Sequence, residues 1–460
     1  MSSSPLPCSA THTTIHRRRM ARLTCSASLT QMRGPSPSPS PKPQLIMSCA
    51  EVAGLHAEHV RIDGEAVSQL AAELVAAADD VRGAVRGLPL PIKFSSLEQE
   101  LTLLALYHLL DFGSGYDKQL ARLSGGRDAR ETLLYGLIGL HLGGARLDHH
   151  KLKSFSMYDI HQVFGIESTT EVAVMPGVTM AKPGPLQPLC KLMISALNET
   201  GSILAEQGLK TPGELLLTMA EGLKKAGRTT ASAFVEELVD TLPAFRDAVL
   251  FDGRTLTLHR KAQNLAADLA LVYGSRDERF LFTDVDQLAA DSGATTIAVL
   301  RAKGVLRLSE ELGAIIDSGT ELPAGPHERA LRAAAVIACD RLVATAAAAR
   351  TADTGVEPAA VGESATSTAA APAAEGAAEG AGEESSVAAA TAATAAAGAG
   401  AGPMQSEVQQ EGRSGAGSGE SNGAGLQAVD VGAYLAYLVE EGRELHGKVT
   451  KHITTGIMAY

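Results

Sequence analysis

Tryptophan is missing from this 460-residue chain, and aromatic residues of all types make up only 4% of it. A core built this way has to be closed by aliphatic side chains, and a ligand that needs stacking finds few platforms. Cysteine is also scarce. Cys8, Cys25 and Cys49 precede residue 50, and the remaining Cys190 and Cys339 are far apart, which argues against a disulfide framework and a thiolate metal site. A reducing compartment is the default for such a chain. No apolar run reaches the length of a membrane span. Acid is absent from the first 50 residues, which carry six positive charges: Arg17, Arg18, Arg19, Arg22, Arg33 and Lys42. With a formal net charge of −12 overall, the remainder holds −18. A broad basic surface for nucleic acid is thereby excluded, and a local basic pocket is not.

What is present divides the chain into four. The acid-free, Arg- and Ser-rich residues 1–50 read either as an organellar transit peptide or as a disordered leader ahead of a start at Met47. The first reading sends the protein to chloroplast or mitochondrion, the second leaves it cytoplasmic. Residues 51–350 carry helical periodicity. Residues 351–427 are dominated by Ala, Gly, Ser and Glu and offer too little apolar surface to offset the entropy of ordering, so a disordered insertion is expected there. Residues 428–460 resume a folded pattern and are expected to pack back on the helical body.

Within the body, Val67, Leu70, Leu74, Val75, Ala78 and Val81 recur at i, i+3, i+4 and i+7. Leu97–Phe112, Thr132–Leu142, Leu189–Leu204, Glu214–Leu223, Ala231–Leu242 and Arg329–Ala344 repeat the pattern. Strand-like runs are short: Glu171–Met175 and Thr255–His259. The fold class is therefore mainly α, a single helical domain with a small β-hairpin.

The most informative stretches are LNETG at Leu197–Gly201, read as the end of a helical run, and PAFRDAVLFDGRTLTLHRKAQNLAAD at Pro243–Asp268. The second puts Arg246 and Asp247 beside Phe245, Leu250 and Phe251, then a turn at Asp252-Gly253, then a helix with Arg260, Lys261 and Gln263 on one side. Charges set among apolar anchors must be paired, because an unpaired buried charge costs several kcal/mol. Asp247 is thus either a site carboxylate or half of a buried pair with Arg246.

These residues resemble the queuosine-salvage family. The likeness rests on LNETG, on Pro243–Arg254 matching P-x-[FY]-R-D-x-x-L-F-x-G-[KR], and on Arg260–Gln263 matching K/R-x-A-Q. Looser matches are Ala289-Ala290-Asp291 ahead of Val299-Leu300 and Gly304–Leu306, and Arg332 with Asp340 eight residues on. The resemblance implies a fold like helical DNA glycosylases and hydrolysis of the N-glycosidic bond of queuosine 5'-phosphate, releasing queuine. It assigns Asp291 to the deazaguanine base, Arg260 and Lys261 to the 5'-phosphate, Asp247 to the substrate-binding set, and Asp430 with Tyr434 to the catalytic sugar side. It also implies a small-molecule nucleotide as partner, with no metal or organic cofactor, no direct nucleic-acid or membrane binding, and a monomer.

The chain departs from the family pattern in places. Lys and Arg are reversed at Arg260-Lys261, and the aromatic two residues before the base-contacting Asp is Ala289, with Phe282 as a candidate replacement ring. The family's closing D-x-x-x-[WY]-D becomes Asp430-Val-Gly-Ala-Tyr434-Leu435, so its last Asp is missing, with Glu440 or Glu441 as candidate substitutes. A non-catalytic nucleotide- or base-binding homologue is therefore the alternative function. Phe112-Gly113-Ser114-Gly115-Tyr116 reads as a helix C-cap or an anion-holding turn. His141, His149, His150 and His161 lack any metal-site framing, and the adjacent pair is expected to point apart.

Overall fold

A computed structural model describes residues 42–354 and 425–459, except 85, 89–91, 124–125 and 441. The leader reading for residues 1–41, the insertion reading for 355–424, and Glu441 lie outside the described residues. The first helix, α1 (Lys42–Leu55), starts within the stretch assigned to the leader. Its Leu45, Cys49 and Val52 are buried, so the folded body begins before residue 50. Strand β1 (Val60–Ile62) follows, then α2 (Gly64–Ala76), capped by Asp63, and α3 (Ala78–Arg82). The periodicity that suggested one helix across 67–81 is split where Ala77 leaves helical geometry, yet Leu70, Leu74 and Val81 stay on one buried side.

The middle of the chain builds the larger core. Start signals are plain in the sequence: Ser96 caps α4 (Leu97–Leu109), and Asp128 and Glu131 form a reciprocal capping box on α6 (Ala129–Leu142), which follows α5 (Asp117–Leu123). Short α7 (His149–Lys153) and α8 (Met157–Phe164) precede a hairpin, β2 (Thr169–Met175) and β3 (Val178–Pro183), exposed along its length. Next, α9 (Gln187–Gln207) runs straight through LNETG rather than ending there. Gly201 sits mid-helix because α7 crosses it so closely that a Cβ would overlap the backbone of Lys153 and His149. Thr211 and Thr230 cap α10 (Pro212–Lys225) and α11 (Ala231–Thr241). A second hairpin, β4 (Ala248–Phe251) with β5 (Arg254–Thr257), turns on Asp252 and Gly253, both at positive φ, as an Asp-Gly two-residue loop requires. Helix α12 (Arg260–Asp268) leaves that hairpin and widens into a π-helical turn at Leu269–Tyr273.

The second core is built from both ends of the chain. Helix α13 (Ala294–Ala302), β6 (Leu306–Leu308), α14 (Glu310–Ser318) and the long α15 (Pro326–Thr354) pack with α2 and with α16 (Ala428–Tyr437). Strand β6 pairs antiparallel with β1 in a ladder that no local pattern announced. A small third cluster joins α1, β5 and α15. The architecture is mainly α, as expected, with three two-stranded ladders where one hairpin was anticipated. Residues 428–459 pack on the body, and Leu435 is fully buried among the apolar residues of the second core. The three described cysteines are free and buried, and burial pushes the Cys49 and Cys339 thiols up to about 12.

Candidate functional site

A cavity of about 780 Å³ lies where the two cores meet. Helices α4, α6 and α12 wall it from the larger core, and α16 with the N-terminal turn of α13 from the smaller one. Its lining mixes charged side chains with apolar ones, in contrast with the aliphatic packing behind it.

Helix α12 sets the pattern. Arg260, Asn264 and Asp268 are spaced by four, so they share one helix face, and all three line the cavity. The neighbouring Lys261 points elsewhere, as a rotation of about 100° per residue requires. Its Nζ donates to the carbonyls of Leu109 (3.0 Å) and Ala244 (2.7 Å) and lies over the rings of Phe112 and Phe245. It is fully buried, and that burial, helped by Arg260, pushes its pKa down to about 7. Lys261 does not line the cavity, so the two basic residues read as a pair serve different surfaces. Gln263 is structural too, bridging the Leu258 carbonyl and the Ala289 amide.

Arg260 is heavily engaged. Nη1 reaches Asp111 (2.8 Å) and Asp291 (3.3 Å), Nη2 bonds the Asp111 carbonyl, and Nε donates to the Ala459 carbonyl (3.0 Å). Burial alone would raise the Asp111 carboxyl, but Arg260, Arg130 and His108 outweigh it and hold the group below its usual range. Asp291 accepts from Asn264 (2.8 Å) as well as from Arg260, and from the amide of Gly293. The N-cap of α13 is Gly293, so Asp291 both braces that helix start and faces the cavity. Gly432 of α16 lies against the Asp291 backbone.

Asp247 is buried beneath the site, and its partner is Arg332 rather than Arg246. Arg332 Nη1 approaches Asp247 at 2.9 Å, and Nη2 bonds its other oxygen. The Arg260 amide and His259 add to this network. Burial pushes the Asp247 carboxyl up, but Arg332, the Arg260 amide and the nearby His259 ring pull it below its ordinary value. Arg246 instead donates to the carbonyls of Val239 and Asp240 at the end of α11. The expected Arg246–Asp247 pair fails because adjacent residues in extended backbone point to opposite sides.

The two C-terminal candidates fall just outside the cavity. Asp430 caps α16 together with Gln427 and is bound by Arg86 at 2.9 Å. Arg86 itself lines the cavity. Tyr434 packs beside Tyr437. One turn beyond α16, Glu440 does line the cavity, and its charge acts on Arg130 of α6. Phe282 packs on Phe234 and Phe280 and supplies no ring to the site; Tyr107 and Phe112 are the aromatics there. Burial pushes the Tyr107 phenol up to about 12, against the pull of Arg130.

The residues not foreseen are Arg86, Tyr107, His108, Asp111, Arg130, Asn264 and Asp268. Only Asn264 and Asp268 had a signal in the sequence, their spacing of four and eight from Arg260. His149 and His150 lie with ring centroids 4.1 Å apart instead of pointing away, and no group of three or more metal-ligating side chains occurs among the described residues.

The fold and cavity define a mainly helical protein with a cavity between two helical cores. Residues 148–363 match the family model described as queuosine salvage protein. The chain is 32% identical over 158 residues to the queuosine 5'-phosphate N-glycosylase/hydrolase of Sphaerobacter thermophilus, covering 34% of this chain and 46% of that protein. It is 30% identical over 125 residues to the protein of the same name in Mus musculus, covering 27% and 34%. The resemblance read from the motifs is thus found independently, and the chain spans less than half the length of these curated relatives. The family match holds Arg260, Asn264, Asp268 and Asp291 but stops short of α4, α6 and α16. No helix among the described residues is long and apolar enough to cross a membrane.

Proposed function

We propose that this protein hydrolyses the N-glycosidic bond of queuosine 5'-phosphate, giving queuine and ribose 5-phosphate. The observation that carries the proposal is the α12 face: Arg260 and Asn264 both hold Asp291, presenting a preorganised carboxylate to the cavity. A fixed acceptor of this kind suits the N–H edge of a deazaguanine, since a site built to accept hydrogen bonds rejects bases that lack the donors. Tyr107 and Phe112 supply apolar ring surface nearby. Arg260 is largely neutralised by its carboxylates and Lys261 is sealed away, so the phosphate role falls to Arg130, whose counter-charges Asp111 and Glu440 flank it. Asp430 contributes indirectly, by holding Arg86 at the cavity wall.

One observation favours the alternative of a binding homologue without catalysis. Leu435, where the family pattern ends in Asp, is buried in the second core and offers no charge. A single assay separates the two. Protein incubated with queuosine 5'-phosphate should release free queuine, detected by mass spectrometry. Tight queuine binding with no release supports the binding homologue instead.

A further inference from the structure

Resting on the glycosidic reading, a second question is which group replaces the family's missing carboxylate. Cleavage of the C–N bond leaves positive charge on the sugar, and a well-placed anion in a dry pocket is the most effective stabiliser of it. Seven carboxylates line the cavity, and five are committed. Asp111 is held by Arg260, and Asp291 by Arg260, Asn264 and the Gly293 amide. Asp117 and Asp128 share Lys451, and Glu131 closes the capping box of α6. Asp268 and Glu440 remain.

Asp268 is the better built of the two. It is only 7% exposed, whereas Glu440 is half-buried. His108, itself buried, meets Asp268 Oδ2 at 2.9 Å through Nε2, while among the described residues Asp268 Oδ1 has Arg86 at 3.9 Å. One oxygen is thus fixed and the other has a long-range partner. Asp268 stands one turn from Asn264, whose amide grips the proposed base-binding Asp291. A turn rises about 5.4 Å, which sets Asp268 apart from the residue that holds Asp291 while both line the cavity. The helix then opens into the π-turn Leu269–Tyr273, a feature frequent at functional sites.

We propose that Asp268 is the catalytic carboxylate of this chain and that His108 is its positioning residue. As the C1'–N bond breaks, its electron pair leaves with the base, whose nitrogen takes a proton from solvent. Water bonds to C1' and gives a proton to Asp268, which returns it to solvent, so the carboxylate is regenerated.

The test compares the full-length protein with Asp268→Asn, His108→Gln and His108→Phe. It measures queuine release from queuosine 5'-phosphate, queuine affinity and the melting transition. Asp268→Asn should lower kcat by about 100-fold or more while queuine affinity stays within about threefold. His108→Gln keeps an N–H donor and should retain more activity than His108→Phe. In His108→Phe kcat should fall by about tenfold or more while queuine affinity stays within about threefold, because the carboxylate loses the group that orients it. The charged and titratable groups facing Asp268 are His108 and Tyr107 of α4, Tyr273 beyond its own helix, and Arg86, which carries Asp430. If Asp268→Asn does not fold, His108→Phe decides, and an unchanged kcat in that folded variant overturns the proposal. An active starting protein whose folded Asp268→Asn variant stays within threefold of it also overturns the proposal and leaves the glycosidic reading standing. A starting protein that releases no queuine overturns both.

Discussion

Arg332 and Asp247 are each about 1% exposed at the side chain, and neither is tolerable without the other. Changing Arg332 to Met should cost about 3–5 kcal/mol, the penalty for stranding a buried charge. Arg246→Ala should cost about 1 kcal/mol, since its side chain donates to the Val239 and Asp240 carbonyls and strands no buried carboxylate. Urea denaturation of both variants checks the ordering, and equal losses would contradict the pairing. Lys261 makes a second prediction. A neutral amine has two N–H donors, and two carbonyls receive them. With its folded pKa near 7, the folded state has lost a proton that the unfolded chain keeps up to its ordinary value near 10.5. Stability should therefore rise with pH across that window, by about 1.4 kcal/mol per unit from this group. Below pH 7 both states are protonated and the slope vanishes. Lys261→Met should flatten the rise, seen as melting temperatures at pH 7, 8.5 and 10. Asp247 was legible in the sequence as a charge needing a partner. Its partner was not, because Arg332 lies 85 residues away and adjacency pointed to Arg246.

Caps and turns were the legible elements. Ser96, Asp128, Thr211 and Thr230 begin helices as their chemistry dictates, and Asp252-Gly253 makes the hairpin it advertises. LNETG misled because Asn, Thr and Gly together signal a helix end, while the helix keeps them for a close crossing by α7. The turn Phe112–Tyr116 also hid its purpose. Gly113 does not cap α4, which ends at Leu109; at positive φ it opens the 3-10 turn Ser114–Tyr116, and Gly115 is glycine because the C-terminal segment passes across it, with the Thr454 backbone where a Cβ would stand. That segment is tied by Leu322 N to Ile453 O, Lys451 to Asp117, and Gly456 N to Tyr116 Oη. Gly115→Val should dislodge it at a cost of about 1–3 kcal/mol. Hydrogen exchange at residues 453–456 should quicken while α9 amides stay protected. Unchanged protection there would show the segment is held by something else.

At the scale of the molecule, periodicity gave the helical class and most helix positions, but not that the helices sort into two cores with the site between them. The cavity takes side chains from Arg86 to Lys451, and no local pattern encodes a wall assembled from such distances. This arrangement predicts that a ligand acts as a brace. At 100 times its Kd, queuine or its nucleotide should add about 2.7 kcal/mol to stability, raising the melting temperature by several degrees. Asp291→Ala should abolish the shift, and scanning fluorimetry with both proteins reads it directly.

Arg260 reaches the Ala459 carbonyl, and Arg86 reaches Asp430 across 344 residues of sequence. A ribosome works from one end. At roughly 5–20 residues per second, the helices through α15 are out of the tunnel seconds before Ala459 is made. During that interval the larger core can form, yet the cavity lacks α16 and the C-terminal segment whose Ala459 carbonyl binds Arg260. The nascent protein thus passes through a stage in which Asp111, Asp291 and Arg260 are exposed together with an unfinished apolar seam. Chaperone attention, and any premature stop upstream of α16, would fall on that stage, yielding a chain that is mostly folded and has no binding site.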